Sequence, residues 1–97
     1  MGLFQLSKKA KSDLTSIAIY TEKRWGKAQR NLYIKQLDDA FKLLGENDEA
    51  GIACDNIRNG YRKFPQGSHI IFYTFATTSN ILIVRILHKS MDFESRL

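Results

Sequence analysis

The sequence predicts an α+β domain in which a short N-terminal strand and a helical hairpin pack on an antiparallel β-meander. Three observations carry that expectation. From Ser7 to Gly45 apolar residues recur at helical spacing, broken once at Gly26. From Tyr61 to His88 they form short runs rich in β-branched and aromatic residues. Between these regions, from Glu46 to Asn59, the periodicity vanishes among Asn47, Asp48, Gly51 and Asn56, which marks connecting loop.

Leu3 to Leu6 is a short apolar start, and Ser7 stands where a helix N-cap would accept a backbone N–H from the first turn. The first helix then carries Ala10, Leu14, Ile17, Ala18 and Trp25 on one stripe, with Lys8, Lys9, Lys11, Glu22 and Lys23 mostly elsewhere. Gly26 ends it, because glycine takes a positive φ without a Cβ penalty. The second helix places Tyr33, Leu37, Ala40, Phe41 and Leu44 on one face and stops near Gly45. Leu32 and Leu43 widen that face, with packing on the neighbouring helix as the expected reason and a partner helix docked in the groove as the alternative.

Three strands are expected at about Tyr61 to Pro65, His69 to Phe75 and Ile81 to His88, with Gly67 and the run Ala76 to Asn80 in the turns. The last two are apolar at successive positions, so both faces of the sheet should be covered, one of them by the helices. Their register is open. A loop with Ala76 opposite Asn80 puts His69, Ile71, Tyr73 and Phe75 on one face with Ile81, Ile83, Arg85 and Leu87; a one-residue slip sets His69 across from His88. In either register the sequence predicts a basic cluster near one end of the sheet.

The chain of 97 residues makes one domain, residues 1–97, able to bury roughly 60–70% of the surface its unfolded form exposes. Its one cysteine, Cys54, precludes an intrachain disulfide, and no apolar run approaches the ~20 residues that cross a bilayer, so the expected home is a reducing cytoplasm with no membrane contact. With 15 Lys plus Arg against 10 Asp plus Glu, the net charge of +5 favours an acidic or anionic partner.

The chemistry-bearing residues concentrate in Arg62 to His69 and Arg85 to Asp92. Two histidines and one distant cysteine lack the paired spacing of a structural zinc site, so no metal or cofactor is expected. No Gly-x-Ser-x-Gly elbow, no cysteine beside a histidine and no phosphate-cradling glycine loop occurs. Acid/base cleavage of RNA is the enzymatic option the residue types allow, with His69 or His88 as base and Arg62, Lys63 and Arg85 opposite the phosphorane charge. No helix-turn-helix reader of DNA is evident.

Several of these segments resemble the ParE toxins of bacterial toxin–antitoxin systems: Leu6-Ser7 before Ala10, Asp13-Leu14 and Ile17, Trp25-Gly26 at the helix junction, Tyr33 and Leu37, Gly60-Tyr61-Arg62, His69 to Tyr73, and above all Arg85-Ile86-Leu87-His88 with Met91-Asp92. The resemblance runs from about Leu3 to Leu97. It implies the fold shared by RelE and ParE proteins and a non-catalytic toxin that poisons DNA gyrase, with the A subunit as the expected contact, and blocks replication. It also implies a ParD-type antitoxin as neutralising partner, with operator DNA reached only through that antitoxin. The alternative is a RelE-like, ribosome-dependent messenger RNA endonuclease. The matching C-terminal stretch here, Leu87 to Met91, has no tyrosine near the C-terminus to act on a phosphate, and that departure lowers the nuclease reading.

An acidic and apolar antitoxin tail could fold onto a sheet edge and the helical groove, adding main-chain hydrogen bonds and Arg–carboxylate pairs. Arg58, Arg62, His69 and Arg85 are the expected antitoxin contacts, with Tyr33, Leu37 and Phe41 as apolar sockets or, as is commoner for such residues, core. For gyrase the expected surface is His88, Lys89, Met91, Asp92 and Arg96, polar and terminal, with Asp92 alternatively capping a last short helix. On this reading truncation after Ser90 should abolish poisoning while leaving a folded, antitoxin-binding domain.

Overall fold

The computed structural model describes residues 3–97. The elements run β1 (Phe4–Leu6), α1 (Lys8–Trp25), α2 (Lys27–Glu46), β2 (Ile52–Ala53), β3 (Arg62–Gln66), β4 (His69–Phe75), β5 (Ile81–His88) and α3 (Phe93–Arg96). The strands form one sheet in the order β1-β5-β4-β3-β2, antiparallel except for β1, which lies parallel to β5. The expected α+β layering is therefore present. No helix is long and apolar enough to cross a membrane among the described residues.

Ser7 caps α1 as its position predicts, and it does more. Its Oγ accepts from the Ala10 N–H at 3.0 Å and donates to the Val84 carbonyl at 2.7 Å, while its own N–H reaches the Ile83 carbonyl. One serine thus starts the helix and fixes it to β5 just beyond the three-residue pairing of β1. Gly26, at φ 94°, is the single residue between the two helices, and its N–H closes α1 on the Glu22 carbonyl.

The main core lies between the hairpin and one sheet face: Ala10 and Ile17 from α1, Leu37, Ala40, Phe41 and Leu44 from α2, and Ile71, Tyr73, Ile81, Ile83 and Ile86 from the sheet. Leu37 and Phe41, offered above as sockets or core, are core. Two expectations for the helices fail. Leu32 and Leu43 do not pack on α1 but stand about half exposed, because Ile34 and Leu14 already fill the space facing the shared core. Trp25 does not join the buried stripe; it is 65% exposed.

The β4–β5 register reconciles the two alternatives. Near the turn Phe75 pairs Ile81 and Tyr73 pairs Ile83, and the Ala76 N–H bonds the Asn80 carbonyl. Between Phe72 and Tyr73 the register shifts by one, so that Phe72 pairs Arg85 and His69 pairs His88. Val84 is the extra residue of a β-bulge, and it moves Ile86 onto the face that holds Ile71 and Ile83. The sheet has a further member, β2, which the sequence reads as loop: two exposed residues, Ile52 and Ala53, are too short to show an alternation.

The opposite face has its own core of Cys54, Phe72 and Leu87, covered by Ile57, Tyr61, Ile70, Phe93 and Leu97. The Phe72 and Phe93 rings meet edge to face at 5.0 Å. Asp92 occupies the N-cap position of α3, although its side chain makes no cap hydrogen bond. Truncation after Ser90 would remove Phe93 and Leu97 and open this second core to water.

Candidate binding groove and C-terminal surface

An open groove of about 480 Å³ runs between the free end of the helical hairpin and the end of the sheet. Ile17, Tyr20, Thr21 and Trp25 of α1 form one wall, Gln29 and Tyr33 of α2 the other, and Ser68, His69, His88 and Met91 the floor. The wall exists because α1 runs past the sheet while β3 and β4 turn back at Gly67-Ser68. Gly67 has φ 59°, as a two-residue hairpin turn with glycine first requires, and a Cβ there would meet the Tyr33 ring at 2.6 Å. Tyr20 is 62% exposed, and the Arg24 guanidinium lies 5.5 Å from the centre of the exposed Trp25 ring.

The polar floor is organised by Tyr33. Its hydroxyl accepts from the Ser68 N–H at 3.1 Å, lies 3.2 Å from the Gln66 carbonyl and makes a 2.7 Å hydrogen bond with His69 Nδ1. Burial pushes the phenol up from its ordinary value, so it serves as a hydroxyl. The His69 imidazole sits lower than usual, first because burial disfavours its cation, then because His88 is beside it, with Asp13 opposing. The His69 and His88 rings lie 5.4 Å apart, nearly perpendicular. His88 Nδ1 accepts the Ser90 N–H at 3.1 Å and lies 2.8 Å from Ser90 Oγ.

The expected single basic cluster does not form. Arg62 and Arg85 lie on opposite sides of β4, away from the histidines at its end. The Arg62 guanidinium donates to the Gly51 carbonyl at 2.7 Å and the Glu49 carbonyl at 3.2 Å, holding the loop before β2. Arg85 pairs with Asp13 of α1, and its Nη1 donates to the Arg96 carbonyl of α3. Arg58 is exposed in the loop over the second core, where its backbone closes turns on Cys54 and Tyr61. These arginines are separated because each meets a local acceptor that only folding brings near.

Of the C-terminal residues, His88 and Met91 border the groove, while Lys89, Asp92 and Arg96 are exposed beyond it. The structure thus joins Tyr33, His69, His88 and Met91 in one surface and leaves Lys89, Asp92 and Arg96 outside it. Tyr20, Arg24 and Gln29 were absent from the sequence-based set, since nothing in helical spacing tells a groove wall from a solvated face. The one available signal was Trp25-Gly26, a large aromatic immediately before a helix stop. Cys54 is buried, and burial raises its thiol, which disfavours the reactive thiolate.

Residues 4–93 match the family described as the ParE toxin of the type II toxin–antitoxin system parDE. The chain is 36% identical to Toxin ParE1 of Caulobacter vibrioides over 97 residues, covering all of this chain and 99% of that protein. It is 39% identical to Toxin ParE1 of Mycobacterium tuberculosis over 94 residues, 97% of this chain and 96% of that one. Among solved structures, a chain of the chromosomal ParDE toxin–antitoxin system from P. aeruginosa superposes with a TM-score of 0.76 at 20% identity, over 91% of this chain and 96% of that chain.

Proposed function

The chain belongs to the ParE toxin family, and on that premise we propose that it is a cytoplasmic toxin that stalls DNA gyrase and is silenced by a ParD-type antitoxin seated in the groove. The observation that carries the antitoxin half is the groove itself. It is open, walled by exposed Tyr20 and Trp25, floored by imidazoles and set in a chain of net charge +5, which suits an apolar and acidic segment. Operator DNA is reached through the antitoxin.

The commitments of Arg62 and Arg85 support action by binding rather than by catalysis. A ribonuclease of this fold needs cations on the scissile phosphate next to its general base. Arg62 is held by the Gly51 and Glu49 carbonyls and Arg85 by Asp13, so neither stands beside His69 or His88. The gyrase surface we assign to the exposed polar strip Lys89, Asp92 and Arg96, with His88 and Met91 at its border with the groove.

The test incubates the purified chain with gyrase and supercoiled plasmid, and separately with translating ribosomes. Accumulation of linear DNA, reversed by the antitoxin, is the expected result. Cleaved message at the ribosomal A site with intact plasmid would replace this reading with the endonuclease.

A further inference from the structure

The groove floor contains a pair of hydrogen-bonding atoms that the fold leaves unused. His69 and His88 are direct cross-strand partners, and each ring has its Nδ1 occupied, His69 by Tyr33 and His88 by Ser90. Among the described residues neither Nε2 has a partner. No buried side-chain nitrogen or oxygen lacks a hydrogen bond there either, so the unpaired Nε2 of half-buried His69, a residue that lines the groove, is not sealed from solvent. His88 is exposed at the same floor.

The tautomers follow from the partners. An Nδ1 that accepts the Ser90 N–H leaves the His88 proton on Nε2. If the Tyr33 hydroxyl donates along its 2.7 Å contact, His69 likewise presents Nε2–H. These two N–H groups belong to rings 5.4 Å apart that line the same groove. Tyr33 also accommodates a charged His69: the hydroxyl proton turns to the Gln66 carbonyl, and its oxygen accepts from both Ser68 N–H and His69 Nδ1–H. No hydrogen bond is lost on protonation.

We propose that His69 and His88 form a receptor for a single carboxylate, carried by an acidic residue of the antitoxin segment that lies in the groove, and that the complex takes up a proton as it forms. This rests on the groove reading above and names the chemistry of its floor. A carboxylate fits better than a phosphodiester backbone. The remaining lining is largely apolar, and it holds a single guanidinium, Arg24, which lies over the Trp25 ring. The other titratable or charged groups around His69 are Asp13 on α1, whose carboxylate is engaged by Arg85, Tyr33 on α2 and His88 on β5. An acidic partner supplies the anion that this surrounding lacks, and it offsets the burial and the neighbouring imidazole that hold His69 neutral.

The test titrates the whole chain with the purified antitoxin encoded beside its gene, by calorimetry between about pH 6 and pH 8 in two buffers of different protonation enthalpy. The expected result is uptake of up to about one proton per complex, with affinity rising as pH falls, about tenfold for each unit by which binding raises the imidazole pKa. In the H69Q/H88Q double variant amide N–H groups can still donate but cannot take a proton; the complex should persist while the uptake disappears. Should that variant fail to fold, NMR titration of the imidazole ring protons in the unaltered complex reads the same quantity, and the His69 signal should titrate at higher pH than in the free chain. A complex that forms without proton uptake, or with uptake unchanged in the H69Q/H88Q double variant, overturns the receptor and leaves the groove reading standing. Absence of any complex overturns both. Displacement of the imidazole signals by a single-stranded oligoribonucleotide and not by the antitoxin would assign the pair to phosphate instead.

Discussion

Asp13 and Arg85 meet in a two-pronged pair, with Nε 2.8 Å from Oδ2 and Nη2 2.9 Å from Oδ1, and the same Oδ2 accepts the Ile86 N–H at 2.9 Å. One carboxylate of α1 therefore satisfies both the guanidinium and the edge of β5 where β1 no longer covers it. Because Arg85 also holds the Arg96 carbonyl, the pair ties α1, β5 and α3 together.

Replacing Arg85 by Ala should cost about 3 kcal/mol, the lower end for a pair that loses one partner, since each side chain retains 15% exposure. Urea unfolding measures it. Apparent antitoxin binding should fall through the fraction of folded chain, with the dissociation constant of the folded fraction unchanged; a weakened constant at full folding would make Arg85 a contact residue.

Tyr33→Phe removes one oxygen that serves the Ser68 N–H, the Gln66 carbonyl and His69 Nδ1. The expected loss is about 1–3 kcal/mol, the range for leaving partly buried polar groups without a partner. Gly67→Ala should act on the same place by forcing a Cβ against the Tyr33 ring in a backbone conformation that disfavours alanine. In both variants the His69 ring signals should move in NMR spectra, whereas an unaltered His69 environment would contradict the arrangement of the floor.

Stability of the free chain should depend on pH through His69. Its imidazole is held below the ordinary value of ~6.5 in the fold, so the unfolded chain binds more protons in that window. The contribution is complete above about pH 6.5 and is lost as pH falls through the folded-state value. Denaturant midpoints recorded down to about pH 5 should decline less steeply for H69Q than for the unaltered chain. Parallel curves would show that His69 carries no such linkage.

Phe93→Ala should destabilise by about 2 kcal/mol, below the usual 3–5 for a fully buried phenylalanine because this ring is only half buried against Phe72. Thermal unfolding reads the shift, and antitoxin affinity should be kept since Phe93 lies on the face away from the groove.

Charge reversal at Lys89 and Arg96, both exposed, separates the two surfaces. Gyrase poisoning should fall by at least about tenfold while antitoxin affinity stays within about twofold, as expected for rim charges outside the second interface. Loss of both together would merge the surfaces into one.

Much of the architecture was legible because its signals are local. Ser7 as a cap, Gly26 as a stop, the stripe through Leu37, Phe41 and Leu44, and the strands at His69 and Ile81 each follow from spacing or from one residue's conformational preference. Strand β2 was not legible, being defined by two backbone pairings with Arg62 and Lys63 rather than by a pattern. The candidate site was legible only in part. His69 and His88 stand out by type, but their approach depends on a bulge at Val84 that no residue there announces, and Tyr20 and Arg24 border a groove only because the sheet ends short of α1.

Taken by itself, the amino-acid order determined where helices and strands start and stop, which faces are apolar and that the chain carries positive charge, since these are properties of neighbours a few positions apart. Only the tertiary structure decided which cations are free. Arg62 and Arg85 find carbonyls and a carboxylate from segments distant in the chain, Arg62 those of Glu49 and Gly51 and Arg85 that of Asp13, whereas each imidazole keeps its Nε2 without a partner among the described residues. A charge is satisfied by whatever lies within about 3 Å of it in space, and proximity between remote segments is set by packing rather than by sequence spacing.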